Sequence, residues 1–281
     1  MDRLNVANYI EQFKVEYQFR LAPRTIQAYQ LAVRQLHEQV NTPFEQITKK
    51  DIRNWLLILE EKGYKPTTIR SMLTGLKSFY NYCLEEGIVP SNPTSGIPFF
   101  KIPQTVPKYL EKTELNRLRA CVEGHLSERA IIEVLFSTGV RISELVAMRI
   151  EDINWSERSL LIPEGKGKKG RIVLFSLECL HHLKAHLANR TDSLPFVFIN
   201  ESATGSIRTQ KVTTRFQSYS KELGFKVTAH TLRHTFTAHL AQKGMPLESI
   251  QQLLGHDSPH TTQLYAHLYN HARKELYDKW T

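Results

Sequence analysis

Cysteine is scarce in this sequence, with three among 281 residues, and Cys83, Cys121 and Cys179 are widely spaced with no CxxC pair. That excludes a disulfide framework or a thiolate metal site and fits a reducing, cytoplasmic setting. Long apolar runs are absent as well: no stretch approaches the ~20 residues of a membrane span, and MDRLNVANYIEQFKVEY at the start has no signal-peptide pattern. The GxxxxGK[ST] order of a nucleotide-binding loop does not occur, and neither does HExxH or an internal repeat. Negative charge is the minority sign. Lys and Arg total 37 against 28 Asp and Glu, a formal charge of +9, which suits a polyanionic partner. Up to Gln104 there are 13 basic and 10 acidic residues, and beyond it 24 and 18, so neither half is merely a basic tail.

What is present is apolar periodicity. Before residue 90 four segments place apolar residues three and four apart: Val6, Tyr9, Ile10, Phe13 and Tyr17; then Ile26, Tyr29, Val33, Leu36 and Val40 after Pro23 and Arg24. Ile52, Trp55, Leu56 and Leu59 follow a cap at Thr48 with Asp51 three residues on, up to Gly63. Ile69, Leu73, Leu76, Tyr80, Cys83 and Leu84 follow Pro66 and Thr67. These predict a helical bundle over 1–87. Pro90, Pro93, Pro98, Pro103 and Pro107 interrupt the pattern, so 88–107 reads as a linker and 108–281 as a second domain.

That domain mixes elements. Helices are expected from a cap near Thr113, over Glu128 to Ser137, after Gly139, and over Leu177 to Asn189, Gln210 to Leu223, Thr231 to Lys243 and Pro246 to Leu254. Two β-prone runs, Leu160 to Ile162 and Ile172 to Phe175, flank EGKGKKG, a hairpin turn. The class is mainly α with a small antiparallel β-sheet.

Four segments carry chemistry. Gly139 can end a helix in the left-handed conformation and aim Arg141 out of a corner, where its planar fork suits phosphate oxygens; a surface pair with Glu144 is the plain alternative. The turn around Lys166, Lys168, Lys169 and Arg171 concentrates positive charge and can enter a DNA groove, or is simply a solvated turn. His230 and Arg233 lie near the start of one helix, where an anion is favoured. His230 and His234 also have the spacing of zinc ligands, but Thr231 stands where a metalloprotease helix has Glu, and a buried structural histidine pair stays open. Last, Gly255 and His256 break the chain nine residues before Tyr265, which taken alone reads as a core side chain.

In that order, Arg141, Lys166, His230 with Arg233, His256 and Tyr265 resemble the motif set of the tyrosine recombinases, the phage integrase family, and of its bacterial Xer-like members in particular. The resemblance covers nearly the whole chain. It implies a two-domain C-shaped clamp, an N-terminal core-binding bundle and an α+β catalytic domain, closed around a double-stranded DNA recombination site. It implies Tyr265 as nucleophile, Arg141 and Arg233 against the phosphate, His230 as base, Lys166 as acid, His256 as a phosphate contact and Glu144 in support. Neither metal nor other cofactor is expected, because the arginines supply the charge and the phosphotyrosine keeps the bond energy. Arg20, Arg24, Lys65, Thr67 and Arg70 are further candidate DNA contacts. The tail from His271, a short helix with Leu276, Tyr277 and Trp280 on one side, is expected to dock on a neighbouring protomer in a homotetramer on two DNA sites. A type IB topoisomerase or a non-catalytic DNA-binding regulator remains as an alternative. Tyr269, one turn after Tyr265, is the rival nucleophile, expected where its helix ends.

Overall fold

The computed structural model describes residues 2–40, 42–99, 107–163, 170–255 and 263–280. Its chain divides into two compact units, Met1–Pro103 and Gln104–Thr281.

The first unit contains α1 (Asp2–Tyr17), α2 (Pro23–Val40), α3 (Lys49–Glu61) and α4 (Pro66–Glu85). Their boundaries follow local chemistry. Thr48 and Asp51 form a capping box, the Thr48 amide donating to Asp51 Oδ2 at 2.9 Å and the Asp51 amide to Thr48 Oγ1 at 3.3 Å, which satisfies two amides left free at a helix start. Pro66 opens α4, where its missing N–H costs nothing. The apolar stripes meet in one core around Phe13, Phe44, Trp55, Phe79 and Tyr80. Val89 and Ile97 join it, so the chain stays committed to this unit past Gly87. Helices α2 and α4 pack closely because Gly75 has no Cβ.

The second unit is mostly helical, with α5 (Lys112–Cys121), α6 (Leu126–Thr138), α7 (Ile142–Ala147), α8 (Leu177–Ala188), α9 (Thr209–Leu223), α10 (Ala229–Gln242), α11 (Leu247–Leu254) and α12 (Ala266–Trp280). A three-stranded antiparallel sheet has the order β1 (Ile153–Asn154), β2 (Ser159–Ile162), β3 (Arg171–Leu174), with Leu160 opposite Val173. Strand β1 is only two residues long, too short for any alternation to mark it.

Among the boundaries that differ from expectation, three have a visible local cause. Helix α5 is capped by Glu111, whose amide donates to Glu114 Oε2 at 2.9 Å, rather than near Thr113, because a carboxylate serves the free amides equally well. Helix α10 begins at Ala229, since Thr228 is extended and accepts from the Thr231 amide at 2.9 Å. Helix α12 is continuous from Ala266 to Trp280, where two helices with a break near Tyr269 were expected; no glycine or proline interrupts that stretch. Tyr265 therefore precedes this helix, its carbonyl accepting from the amides of Leu268 and Tyr269 at 3.0 and 3.2 Å.

Two cores support this unit, a large one spanning α5 to α10 with the sheet, and a smaller one of Phe236, Ala238, Ala241, Ile250, Leu254 and Tyr265, where α10, α11 and the start of α12 meet. A Cβ on Gly75 would lie 2.8 Å from the Tyr29 ring and 3.0 Å from the Tyr29 Cα. Gly75→Val should thus destabilise the first unit by about 1–3 kcal/mol, read as a lowered urea midpoint of the full chain by tryptophan fluorescence.

Candidate active site

Two helix ends and one buried carboxylate build this site. Helix α6 ends at Gly139 with φ 63°, in space that Phe236 and Leu254 leave too small for a side chain. The turn makes Arg141 the residue before α7. There its amide donates to Glu144 Oε2 at 2.7 Å and its Nη1 to Oε1 at 2.9 Å. The same carboxylate accepts from Arg171 Nη1 at 2.9 Å and Nη2 at 2.7 Å, a bidentate pair of the strong kind.

The second helix end is that of α11. Carbonyls of the last turn have no intrahelical partner and carry the negative end of the helix dipole. Three in succession each receive an arginine: Leu253 from Arg171 Nε at 3.0 Å, Leu254 from Arg233 Nη2 at 2.8 Å, and Gly255 from Arg141 Nη2 at 3.1 Å. The other arm of Arg233 donates to the Gly139 carbonyl, so this side chain ties the ends of α6 and α11 together. It is buried, and burial with the nearby Arg141 charge pushes its pKa down to about 9, which leaves it charged at neutral pH.

Histidines and the tyrosine complete the cluster. His230 and His234, one turn apart on α10, have ring centroids 4.1 Å apart at 74°. Partial loss of water around His230, with the charges of Arg233 and Lys226, lowers its pKa below the usual 6.5. Tyr265 is 1% exposed and its hydroxyl is hydrogen-bonded to His234 Nδ1. Burial raises the phenol pKa above 10, with the Arg233 charge acting in the opposite sense. Among the described residues no group of three or more His, Cys, Asp or Glu side chains is placed to hold a metal.

The structure thus brings Arg141, Glu144, His230, Arg233 and Tyr265 to the junction of α6, α7, α10, α11 and α12. Lys166, Lys168, Lys169 and His256 lie outside the described residues. Arg171, expected as a DNA contact, has a side chain only 10% exposed and turned onto Glu144 and Leu253. Arg20, Arg24, Lys65, Thr67 and Arg70 are exposed on the first unit, with Arg20 3.8 Å from Glu16 and Arg70 over the Phe99 ring at 5.3 Å. Tyr269 packs partly buried against the small core. The contact of His234 with the phenol escaped the sequence reading; its spacing of four from His230 was the available signal.

Residues 108–271 match the phage integrase family, and residues 10–88 match the family's N-terminal SAM-like domain. The chain belongs to the phage integrase family. Tyrosine recombinase XerA of Pyrococcus furiosus is 31% identical to it, over 91% of this chain and 87% of that protein. XerC of Thermodesulfovibrio yellowstonii is 32% identical, over 98% and 95%. The Tn1549 transposon integrase, solved in complex with transposon right end DNA, shares the fold at a TM-score of 0.78 and 20% identity, covering 98% of this chain and 99% of that one.

In this integrase-family site the Glu144 pairing has a pH signature. Burial by itself would raise the carboxyl, but hydrogen bonds from Arg171 and Arg141 and their charges prevail and hold it at about 2, against an ordinary 4.5. A depressed carboxyl contributes stability above its unfolded pKa and loses it as pH falls toward the folded one; here that amounts to ~3 kcal/mol. The urea midpoint should therefore fall steeply from about pH 4.5 downward. Glu144→Gln should remove that part of the slope and lower stability at neutral pH.

Proposed function

We propose that this protein is a site-specific DNA recombinase that cleaves and religates strands through a 3′-phosphotyrosine on Tyr265 and a Holliday junction. The observation that carries this reading is the convergence of Arg141, Arg233 and Tyr265, from three separate parts of the chain, on the ends of α6 and α11. A phosphodiester repels nucleophiles through its own negative oxygens, and two fixed guanidinium groups offset the charge that grows there in the transition state. A phenol is weakly nucleophilic until deprotonated, which a neighbouring histidine can assist. Lys166 protonates the departing 5′ oxygen and His256 hydrogen-bonds the phosphate. The phosphotyrosine retains the energy of the broken bond, so a second 5′ hydroxyl completes the exchange without a nucleotide cofactor.

Double-stranded DNA is the partner. The exposed cations of the first unit contact its backbone, and the positive balance of both halves supports this. The working form is a homotetramer on two DNA sites, joined by trans docking of the α12 end, where Tyr277 is 66% exposed. No helix among the described residues is long and apolar enough to cross a membrane, and the enzyme acts in the bacterial cytoplasm, at the nucleoid when bound.

A nicked suicide substrate, from which the short 5′-hydroxyl fragment diffuses away, tests the chemistry. Wild-type protein and Tyr269→Phe should form a covalent adduct and Tyr265→Phe none, with binding to a half-site retained. Adduct mapped to Tyr269 would reject the assignment. Arg141→Ala and Arg233→Ala should each slow adduct formation by about 100-fold or more. Cleavage should persist in excess EDTA, and strict dependence on zinc or magnesium would overturn the arginine mechanism. Covalent trapping rejects a non-catalytic regulator, and exchange between two sites separates a recombinase from a type IB topoisomerase.

A further inference from the structure

The Tyr265 phenol needs a base in contact with it, because burial makes its proton harder to remove than that of a tyrosine in water. The family resemblance points to His230. The geometry points elsewhere. Among the described residues, the hydrogen-bond partner of Tyr265 Oη is His234 Nδ1, with the two ring centroids 6.2 Å apart and tilted by 35°. His230 lies edge to face with His234, one helical turn nearer the start of α10.

From that arrangement we infer that His234 takes the Tyr265 proton during strand cleavage and returns it during ligation. The inference rests on the recombinase reading above. In cleavage the Oη–H bond breaks and the proton passes to His234 Nδ1. The electron pair left on Oη forms the bond to phosphorus, and the P–O5′ bond breaks, its oxygen taking a proton from Lys166. Ligation reverses each transfer: the incoming 5′ hydroxyl gives its proton to the lysine, and the released phenolate recovers the proton held by His234. Arg233 favours the phenolate through its charge. His230 is kept toward its neutral form, so it adds little repulsion when His234 becomes an imidazolium. The position of His234 is firmly set, since α10 is anchored beside it by the two carbonyl bonds of Arg233.

The test compares phenol acidity with and without the histidine. His234→Asn keeps a polar group near the place of Nδ1 but cannot carry a proton at neutral pH. On the nicked substrate it should form adduct about 100-fold more slowly than wild type, with half-site binding unchanged. Difluorotyrosine at position 265, introduced by nonsense suppression, is a more acidic phenol that depends less on a base. It should restore about tenfold or more of the His234→Asn rate and change the wild-type rate only about threefold or less. A side chain that merely held the fold would give no such selective rescue. Adduct formation by His234→Asn at or above the wild-type rate overturns the inference and makes the bond a resting-state latch. Loss without rescue overturns it as well. Should His234→Asn fail to bind the half-site, His234→Gln takes its place in the same comparison under the same criteria. Failure of wild-type protein to form any adduct sinks the recombinase reading itself, whereas undiminished His234→Asn sinks the base assignment alone.

Discussion

The Glu144 carboxylate is the single negative side chain to which two of the site's three arginines are fastened. Arg141 and Arg171 both donate to it, and the three arginines then reach the last carbonyls of α11. Three guanidinium groups this close would repel one another strongly at the low effective dielectric of a partly buried site. One full negative charge and the partial charges of two helix ends hold them together. Removing that carboxylate leaves the cations with only carbonyl dipoles, the circumstance in which breaking one member of a buried ionic cluster is most costly. Charge compensation remains incomplete, and the surplus positive charge is what a phosphate would neutralise.

Helix ends are a sound foundation for such a site because they offer carbonyls with no other partner. The left-handed turns at Gly139 and Gly255 stop α6 and α11 at the required places. Gly139 also answers a packing demand, since Phe236 and Leu254 occupy the volume that any side chain there would need. Hence the small core of α10, α11 and α12 and the arginine cluster are one construction: Leu254 contributes its side chain to the first and its carbonyl to the second.

Two groups in this construction are held at some expense to the fold. Arg233 is a buried cation whose pKa is pushed down, and Tyr265 is a buried phenol whose pKa is pushed up. A protein selected for stability alone would place apolar side chains at such positions. Their presence accords with a site whose favourable interactions are completed by an anionic substrate.

Sequence by itself determined the helices with strong apolar stripes, the Thr48 cap, the opening of α4 at Pro66 and the residue types of the site, because periodicity, capping and backbone restriction act within a few residues. It also carried the family, through the order of Arg141, His230, Arg233 and Tyr265. It left open whether Arg141 pairs with Glu144 or faces a phosphate, and the structure gives the pair together with a bond to Gly255. Tertiary structure alone decided that Arg171 turns inward, that Glu144 serves two arginines, and that His234 rather than His230 touches the phenol. The physical reason is separation along the chain. Arg141 meets Gly255 across 114 residues and Arg171 meets Leu253 across 82, distances over which no local pattern constrains a side chain and only the packing of α6, α10 and α11 chooses its partner.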